Sequence, residues 1–117
     1  MTDEMTMEQA TERVARGMAW IMENAETLDL DLNRVDLSTV NVVNDHDCVL
    51  AQASGRSFWA VLDGVDMPVT QGENWTVYHG FATPAYGTLP DRDVIDQQAA
   101  TLAAAWRTVI TAQRSAS

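Results

Sequence analysis

Lysine is absent from this chain, and its only permanently cationic side chains are 7 arginines set against 17 aspartates and glutamates. The formal charge at pH 7 is -10 over 117 residues. A field of that sign repels nucleic-acid phosphates and anionic lipid headgroups, and it attracts basic surfaces. Direct binding of nucleic acid or of an acidic membrane is therefore disfavoured, and a protein partner with a basic surface is favoured.

Cysteine and long apolar runs are also scarce. The single cysteine, Cys48, excludes an intramolecular disulfide and is typical of a reducing compartment. Residues 1–9 are acidic and precede no long apolar stretch, so we expect no secretion signal and no membrane span. These absences predict a cytoplasmic protein.

Apolar residues make up 46% of the chain and occur in every segment, which is enough for a core without disulfide or metal. We predict one domain over residues 1–117, mainly α. It is expected to be a compact small helical domain with a Gly/Pro-rich ordered loop and room for a short strand or hairpin. Trp59 and Trp106 sit on apolar stripes and are expected in the core.

The first helix has a clear start and a clear apolar face. Thr6 followed by Gln9 reads as a capping box. Gly17 lies inside the pattern at a cost of about 1 kcal/mol relative to alanine, which a close helix crossing would explain. The face is built from residues at helical spacing: Met7, Ala10, Val14, Met18, Ile21, Met22 and Ala25.

The last helix is predicted from a cap at Thr88 with Asp91 and from Pro90 in the first turn. Its apolar stripe could pack within the chain or against a second copy, so a homodimer stays open. The stripe comprises Ile95, Ala99, Leu102, Ala103, Trp106, Val109 and Ile110.

The middle of the chain gives weaker signals. Residues 28–43 predict an extended or short-helical connection that places leucines and valines in the core. A second helix is expected to start at Asn44 or Asp45, to be interrupted at Gly55 and to stop at Gly64.

Residues 65–87 are rich in glycine and proline. Trp75, Val77 and His79 alternate with Thr76 and Tyr78, which allows one short strand or an ordered loop there.

Five segments occur in this chain in a familiar order: 16–21 (Arg-Gly-Met-Ala-Trp-Ile), 36–37 (Asp-Leu), 47–52 (Asp-Cys-Val-Leu-Ala-Gln), 80–81 (Gly-Phe), and Trp106 with Ile110. As a set they resemble a group of small uncharacterised proteins of actinobacteria and their tailed phages. The resemblance runs from about Val14 to Ile110, and Ala51 departs from the glycine usual in the group. It implies a shared fold and a phage or prophage setting, and it implies no reaction.

Residues 45–48 (Asp-His-Asp-Cys) form the densest set of potential metal ligands. Adjacent residues at a helix start point in different directions, so at most two of the four could share an ion, and His79 could complete a site only if the fold brings it near. Asp29, Asp31 and Asn33 resemble the start of a calcium loop, but the required glycine and glutamate positions hold Arg34 and Val40. We expect no metal and no cofactor.

A Cys48 nucleophile with His46 or His79 as base is conceivable, but Asp45 and Asp47 oppose formation of the thiolate. We therefore expect a buried structural cysteine and no enzyme activity.

Six residues are candidates for partner binding. On the first helix, Glu8 and Glu12 share a side through i,i+4 spacing, and Glu23 and Glu26 share one through i,i+3 spacing. Trp75 and Tyr78 lie in the Gly/Pro-rich segment, where aromatic rings serve either as partner contacts or as anchors of the loop in the core.

The favoured hypothesis is a non-catalytic cytoplasmic protein that binds another protein, as a phage or prophage factor acting on a host component. The alternative is a nucleic-acid mimic that blocks a DNA-binding protein. It needs the acids of residues 8–31 to form a stripe, including Asp29 and Asp31, although Arg13 and Arg16 interrupt the row. A Cys48-dependent enzyme ranks third.

Overall fold

The structure is a computed structural model that describes residues 5–44, 46–84 and 92–116. Over those ranges the chain is a compact, mostly helical domain, as predicted, with α1 at Met7–Leu28, α2 at Val49–Ser54, α3 at Phe58–Leu62, α4 at Trp75–Tyr78, α5 at Arg92–Ala116 and a 3-10 helix at Leu32–Arg34. The same ranges hold no β-strand, only an isolated bridge between Thr70 and Glu73. Asp45 and the predicted cap at Thr88, Pro90 and Asp91 lie outside the described residues.

Helix α1 starts as the sequence predicts. The Gln9 N–H donates to Thr6 Oγ1 at 3.1 Å, and the Thr6 N–H donates to Gln9 Oε1 at 3.0 Å, which completes the capping box. At the other end Asp29 adopts the left-handed conformation with φ 54°, and its N–H donates to the Ala25 carbonyl. Both ends therefore satisfy backbone groups that would otherwise lack a partner.

Helices α1 and α5 pack against each other and together contribute 10 of the 25 residues of the buried core in the described ranges. At one end, Met5 and Gln97 exchange two hydrogen bonds of 2.8 and 3.0 Å. The α5 stripe is therefore occupied within the chain. On α1, the predicted apolar face was wrong at Met7 and Met22. Both are exposed, because they lie at the end or the edge of that face. The fully buried side chains at this contact are Val14, Ile21, Leu102, Trp106 and Ile110.

Gly17 marks a very close approach, as expected. A Cβ at Gly17 would stand 2.1 Å from the His79 carbonyl oxygen and 2.9 Å from the Trp106 ring. Gly80, at φ 73°, lies against the α1 backbone, where a Cβ would stand 3.0 Å from Val14 N. The Trp106 indole N–H donates to the Gly80 carbonyl at 2.9 Å. Helices α1 and α5 and the turn after α4 thus meet at one point, which we call the glycine joint (Gly17, His79, Gly80 and Trp106).

The connection over residues 29–48 buries its apolar side chains as predicted: Leu30, Val35, Val40 and Val42. Its own backbone hydrogen bonds mostly close short turns, and arginines from elsewhere bind its carbonyls. Arg114 donates to the carbonyls of Leu32 and Val35, both at 2.6 Å, and Arg107 donates to that of Leu37 at 2.7 Å. The end of α5 therefore holds this segment in place.

Helix α2 begins later than predicted. The Asn44 side chain accepts hydrogen bonds from the N–H groups of His46 and Asp47, so it stabilises a turn instead of starting the helix. Cys48 occupies the N-cap position, and its side chain does not cap the helix. Gly55 ends α2 with φ 74°, which confirms the predicted interruption.

Helix α4 stands where the alternation of Trp75, Val77 and His79 suggested a strand, and that suggestion was wrong. The His79 N–H donates to the Trp75 carbonyl at 3.1 Å, in the pattern of a helical turn. Trp75 and Val77 are both buried, because α4 is enclosed between α1 and the rest of the chain. A helix of about one turn is too short to show its own period in the sequence.

Candidate partner-binding surfaces

The four glutamates predicted on α1 lie on one side of that helix. At 100° per residue their directions span about 60°, and all four are exposed. At 1.5 Å per residue they extend over about 27 Å of the helix. The exposed residues Ala15 and Ala19 occupy the space between the two pairs. We call this surface the acidic face: Glu8, Glu12, Glu23 and Glu26.

Arg13 and Arg16 do not interrupt the acidic face, contrary to the sequence prediction. Arg13 makes two hydrogen bonds to the Glu73 carboxylate, at 3.0 and 2.8 Å, and a third to the Val77 carbonyl. Arg16 donates to the Tyr78 carbonyl at 2.7 Å, and its guanidinium carbon lies 4.0 Å above the centre of the Tyr78 ring. Both side chains therefore turn towards α4 and away from the glutamates.

The other arginines are also engaged inside the fold. Each donates to a carbonyl or a carboxylate of the chain, and six of the seven bind a backbone carbonyl outside their own helix: Arg13, Arg16, Arg34, Arg56, Arg107 and Arg114. The ion pairs found in the described ranges are Arg13–Glu73, Arg34–Asp29 and Arg92–Asp96. None of these pairs includes a carboxylate of the acidic face, so its charge is directed to solvent.

Trp75 is an anchor in the core. It is 7% exposed, and its ring centre lies 4.3 Å from that of His79 and 5.1 Å from that of Trp20. Of the two interpretations offered by the sequence, burial supports core anchoring and removes the Trp75 ring from the partner-binding set. Tyr78 is half-buried beneath Arg16 and keeps some exposed surface.

Cys48 and the histidines occupy structural positions. Cys48 is 4% exposed at the start of α2. His79 Nδ1 lies 2.8 Å from the Trp75 carbonyl, and since a carbonyl only accepts, Nδ1 must carry the proton. Within the described ranges no three His, Cys, Asp or Glu side chains converge on a possible metal position.

Asp36 has a carboxyl group whose pKa is lowered by its surroundings. Its carboxylate accepts from the Ser38 hydroxyl at 2.6 Å and from the Ser38 N–H at 3.0 Å. These bonds, that of the hydroxyl first, lower the pKa of Asp36 below its ordinary value. Asp36 therefore keeps its negative charge further into the acidic range.

An open cleft of about 350 Å³ lies between α3, α4 and residues 42–48, and we call it the α3–α4 cleft. Trp59 stands at its wall and is 64% exposed, so its predicted place in the core was wrong. Phe58 is buried instead, because neighbouring helical residues point about 100° apart and both rings cannot face the same core. The lining residues are Val42, Val43, Cys48, Phe58, Trp59, Asn74, Thr76, Val77, Phe81, Ala82 and Thr83.

Among the described residues that line the α3–α4 cleft, none has a charged side chain. Thr83 is 1% exposed, and across the described part of the chain its hydroxyl oxygen has no hydrogen-bond partner. Sequence analysis missed this cleft. The signal that could have pointed to it is the Phe58–Trp59 pair, since one of two adjacent aromatic residues on a short helix must face outwards.

Comparison with known proteins adds no relative. No protein-family model matches the chain, and no match was found among curated proteins or solved structures. Among the described helices, none combines the length and the apolar character needed to cross a membrane.

Proposed function

We propose that this chain is a non-catalytic, acidic cytoplasmic protein that binds a protein partner with a basic surface. We further propose that it serves as a phage or prophage accessory factor acting on a host component. The acidic face is the observation that supports binding most directly. It places four exposed carboxylates on one side of α1, while Arg13 and Arg16 of the same helix turn towards α4.

Charge on such a surface acts mainly on the rate and the specificity of association. Carboxylates at the rim of an interface steer a cationic partner and lose that effect as salt screens them, over a Debye length of about 10 Å at 0.1 M. The individual pairs contribute little to affinity, about 0–1 kcal/mol each. Apolar contacts elsewhere on the surface would have to supply most of the remaining affinity.

The phage setting rests on the resemblance of segments 16–21, 47–52 and 80–81 to the actinobacterial group. The first and third of these contain Gly17 and Gly80, which the fold uses at the glycine joint. A structural reason therefore exists for two of the residues that carry the resemblance. The setting itself belongs to the proposal.

Nucleic-acid mimicry is the second candidate, and the alignment of the four glutamates along one side of α1 favours it. Charge density weighs against it. The face presents four carboxylates over about 27 Å, whereas a DNA duplex presents about sixteen phosphates over the same length. A competition assay against a DNA-binding host protein would separate the two candidates, because a mimic must displace the duplex.

The test of the proposed function is capture of a partner from an actinobacterial lysate by the immobilised chain. We expect a specific basic protein at 50 mM NaCl and much less of it at 500 mM. The variant Glu8→Gln/Glu12→Gln/Glu23→Gln/Glu26→Gln should bind that protein about tenfold more weakly at low salt, chiefly through slower association. Association and dissociation rates of the purified pair provide the measurement.

A matched control separates the position of the charges from their number. Glu23→Gln/Glu26→Gln and Asp36→Asn/Asp93→Asn remove the same charge, but only the first pair lies on the acidic face. Equal losses in the two variants would show that overall charge, and not this face, governs binding. Absence of any specific partner at low salt would count against the function itself. Loss of biological activity in a folded Cys48→Ser variant that still captures the partner would favour the enzyme hypothesis.

A further inference from the structure

The α3–α4 cleft is open, uncharged and walled by an exposed tryptophan. Its volume of about 350 Å³ falls at the lower end of the range typical of binding pockets. A tryptophan exposed beside an uncharged recess is typical of the centre of a protein–protein interface. There, one or two anchored side chains supply most of the binding energy. Trp59 makes a T-shaped contact with Phe58, with ring centres 5.0 Å apart, so one edge of the wall is already packed.

Next to the cleft lining, Arg13 donates to the carbonyl of Val77 and is neutralised by its ion pair with Glu73, so the charges that remain close to the lining residues in the chain are acidic. Asp47 precedes the lining residue Cys48, and Asp63 follows Trp59 by one helical turn. The arginine closest in sequence, Arg56, donates to the Leu28 carbonyl at the end of α1. Between residues 57 and 84 the chain has no arginine. A recess of this kind, with acidic residues next to its lining residues in the chain of an acidic protein, is complementary to an apolar side chain carried on a basic segment.

We propose that the α3–α4 cleft receives one large apolar side chain, aromatic or leucine-like, from a segment of the partner protein that carries arginine or lysine on either side of it. This inference rests on the proposed function and adds a docking position to it. A second copy of this chain is a poor occupant, because two molecules of charge -10 repel each other. The cationic partner meets no such repulsion.

The experiment uses synthetic eight-residue peptides as probes. One central position is tryptophan, phenylalanine, leucine or alanine, with arginine and serine on both sides, and a matched set carries glutamate in place of arginine. Binding to the full chain is measured by fluorescence anisotropy, and the Trp59 indole signal is followed by NMR. We expect the tryptophan, phenylalanine or leucine peptide to bind at least about tenfold more tightly than the alanine peptide. The glutamate set should not bind.

Three variants connect that binding to the cleft. Asn74→Trp fills the cleft from an exposed position whose side chain makes no capping hydrogen bond, so the fold should persist. Trp59→Ala removes the wall. Both should weaken binding at least about tenfold. Val69→Ala is the matched control, because Val69 is 70% exposed and does not line the cleft, and it should change affinity less than about twofold.

The proposal is overturned if no arginine peptide binds at 1 mM, if the alanine or glutamate peptides bind equally well, or if Asn74→Trp leaves binding intact. It is also overturned if the chain is a dimer by analytical ultracentrifugation and Trp59→Ala makes it monomeric, since a second copy would then cover the cleft. If the peptides do not bind but capture from the lysate still depends on the acidic face, the docking position alone is rejected. Failure of both would reject the proposed function as well.

Discussion

Gly17 illustrates how much one residue determines here. Inside a helix, alanine is normally more favourable than glycine by about 1 kcal/mol. At this position the Cβ would overlap a backbone carbonyl, that of His79, and touch the buried Trp106 ring. Backbone cannot move aside as the end of a flexible side chain can, so the steric cost should exceed the gain in propensity.

We predict that Gly17→Ala destabilises the protein by about 3 kcal/mol, measured by urea denaturation followed by circular dichroism. Ala19→Gly is the matched control in the same helix. It is exposed and should lose only about 1 kcal/mol through propensity. An unchanged or raised unfolding free energy for Gly17→Ala would contradict the close approach at the glycine joint.

The residue scale also shows what sequence reasoning captures. A glycine inside an apolar helix predicted a close crossing, because no other reason explains its cost. Trp59 was assigned to the wrong surroundings, and two interpretations stayed open for Trp75, since apolar character alone does not say which of several tryptophans is enclosed. The distinction depends on tertiary contacts, namely Trp20 and His79 around Trp75 and the outward side of α3 for Trp59.

At the scale of elements, the connection between α1 and α2 depends on arginines from α5. Arg114 donates from one nitrogen to the carbonyls of Leu32 and Val35, and it is half-buried. Hydrogen bonds from a charged donor contribute about 1.5–3 kcal/mol, and removal of the donor leaves acceptors unsatisfied. The last turns of α5 thus hold a segment whose own backbone hydrogen bonds mostly close short turns.

We therefore expect Arg114→Ala to lower the unfolding free energy by about 2–4 kcal/mol in urea denaturation. Arg92→Ala, at the other end of the same helix, removes only an exposed i,i+4 pair with Asp96 and should cost about 0.5 kcal/mol. Arg114→Lys should fall between the two, because an ammonium group lacks the planar fork of a guanidinium. Similar losses for Arg114→Ala and Arg92→Ala would show that the connection does not depend on this contact.

The long helices were predictable and the short ones were not. Helix α1 and the described part of α5 extend over enough turns for the 3.6-residue period to be visible, and α1 also has its capping box. Helix α4 has 4 residues and α2 has 6, so their geometry is determined by what surrounds them. The asparagine before α2 was a plausible cap by type, but its side chain completes a turn instead.

At the scale of the whole molecule, the basic and the acidic side chains have different functions in the structure. Arginines bind carbonyls and carboxylates within the fold, and the acidic face is directed outwards. The surface is therefore strongly anionic, and repulsion among its carboxylates opposes the compact state. Screening by salt should relieve that repulsion.

We expect the melting temperature to rise by about 2–5 °C between 10 and 300 mM NaCl at pH 7. The variant with glutamine at the four positions of the acidic face removes 4 of the 10 excess negative charges and should show a smaller rise. Differential scanning calorimetry provides the measurement. A melting temperature that falls with salt would indicate that internal ion pairs outweigh surface repulsion.

The acidic face was accessible from the sequence in part. Spacings of three and four residues placed the glutamates in two pairs, and the fixed geometry of a helix aligns those pairs along one side. The direction of Arg13 and Arg16 was not accessible, because their partners Glu73 and Tyr78 lie about 60 residues away. The α3–α4 cleft likewise arises from segments that are distant in the chain.

The chain has arginines but no lysine, and this has a practical consequence for identifying the partner. Carbodiimide reagents join a carboxylate to a primary amine at zero length, and this chain has many carboxylates but no side-chain amine. Two copies therefore cannot be linked to each other through their side chains. Any covalent adduct formed through a lysine must contain a different protein, and the glutamate found in it would report which surface had touched that protein.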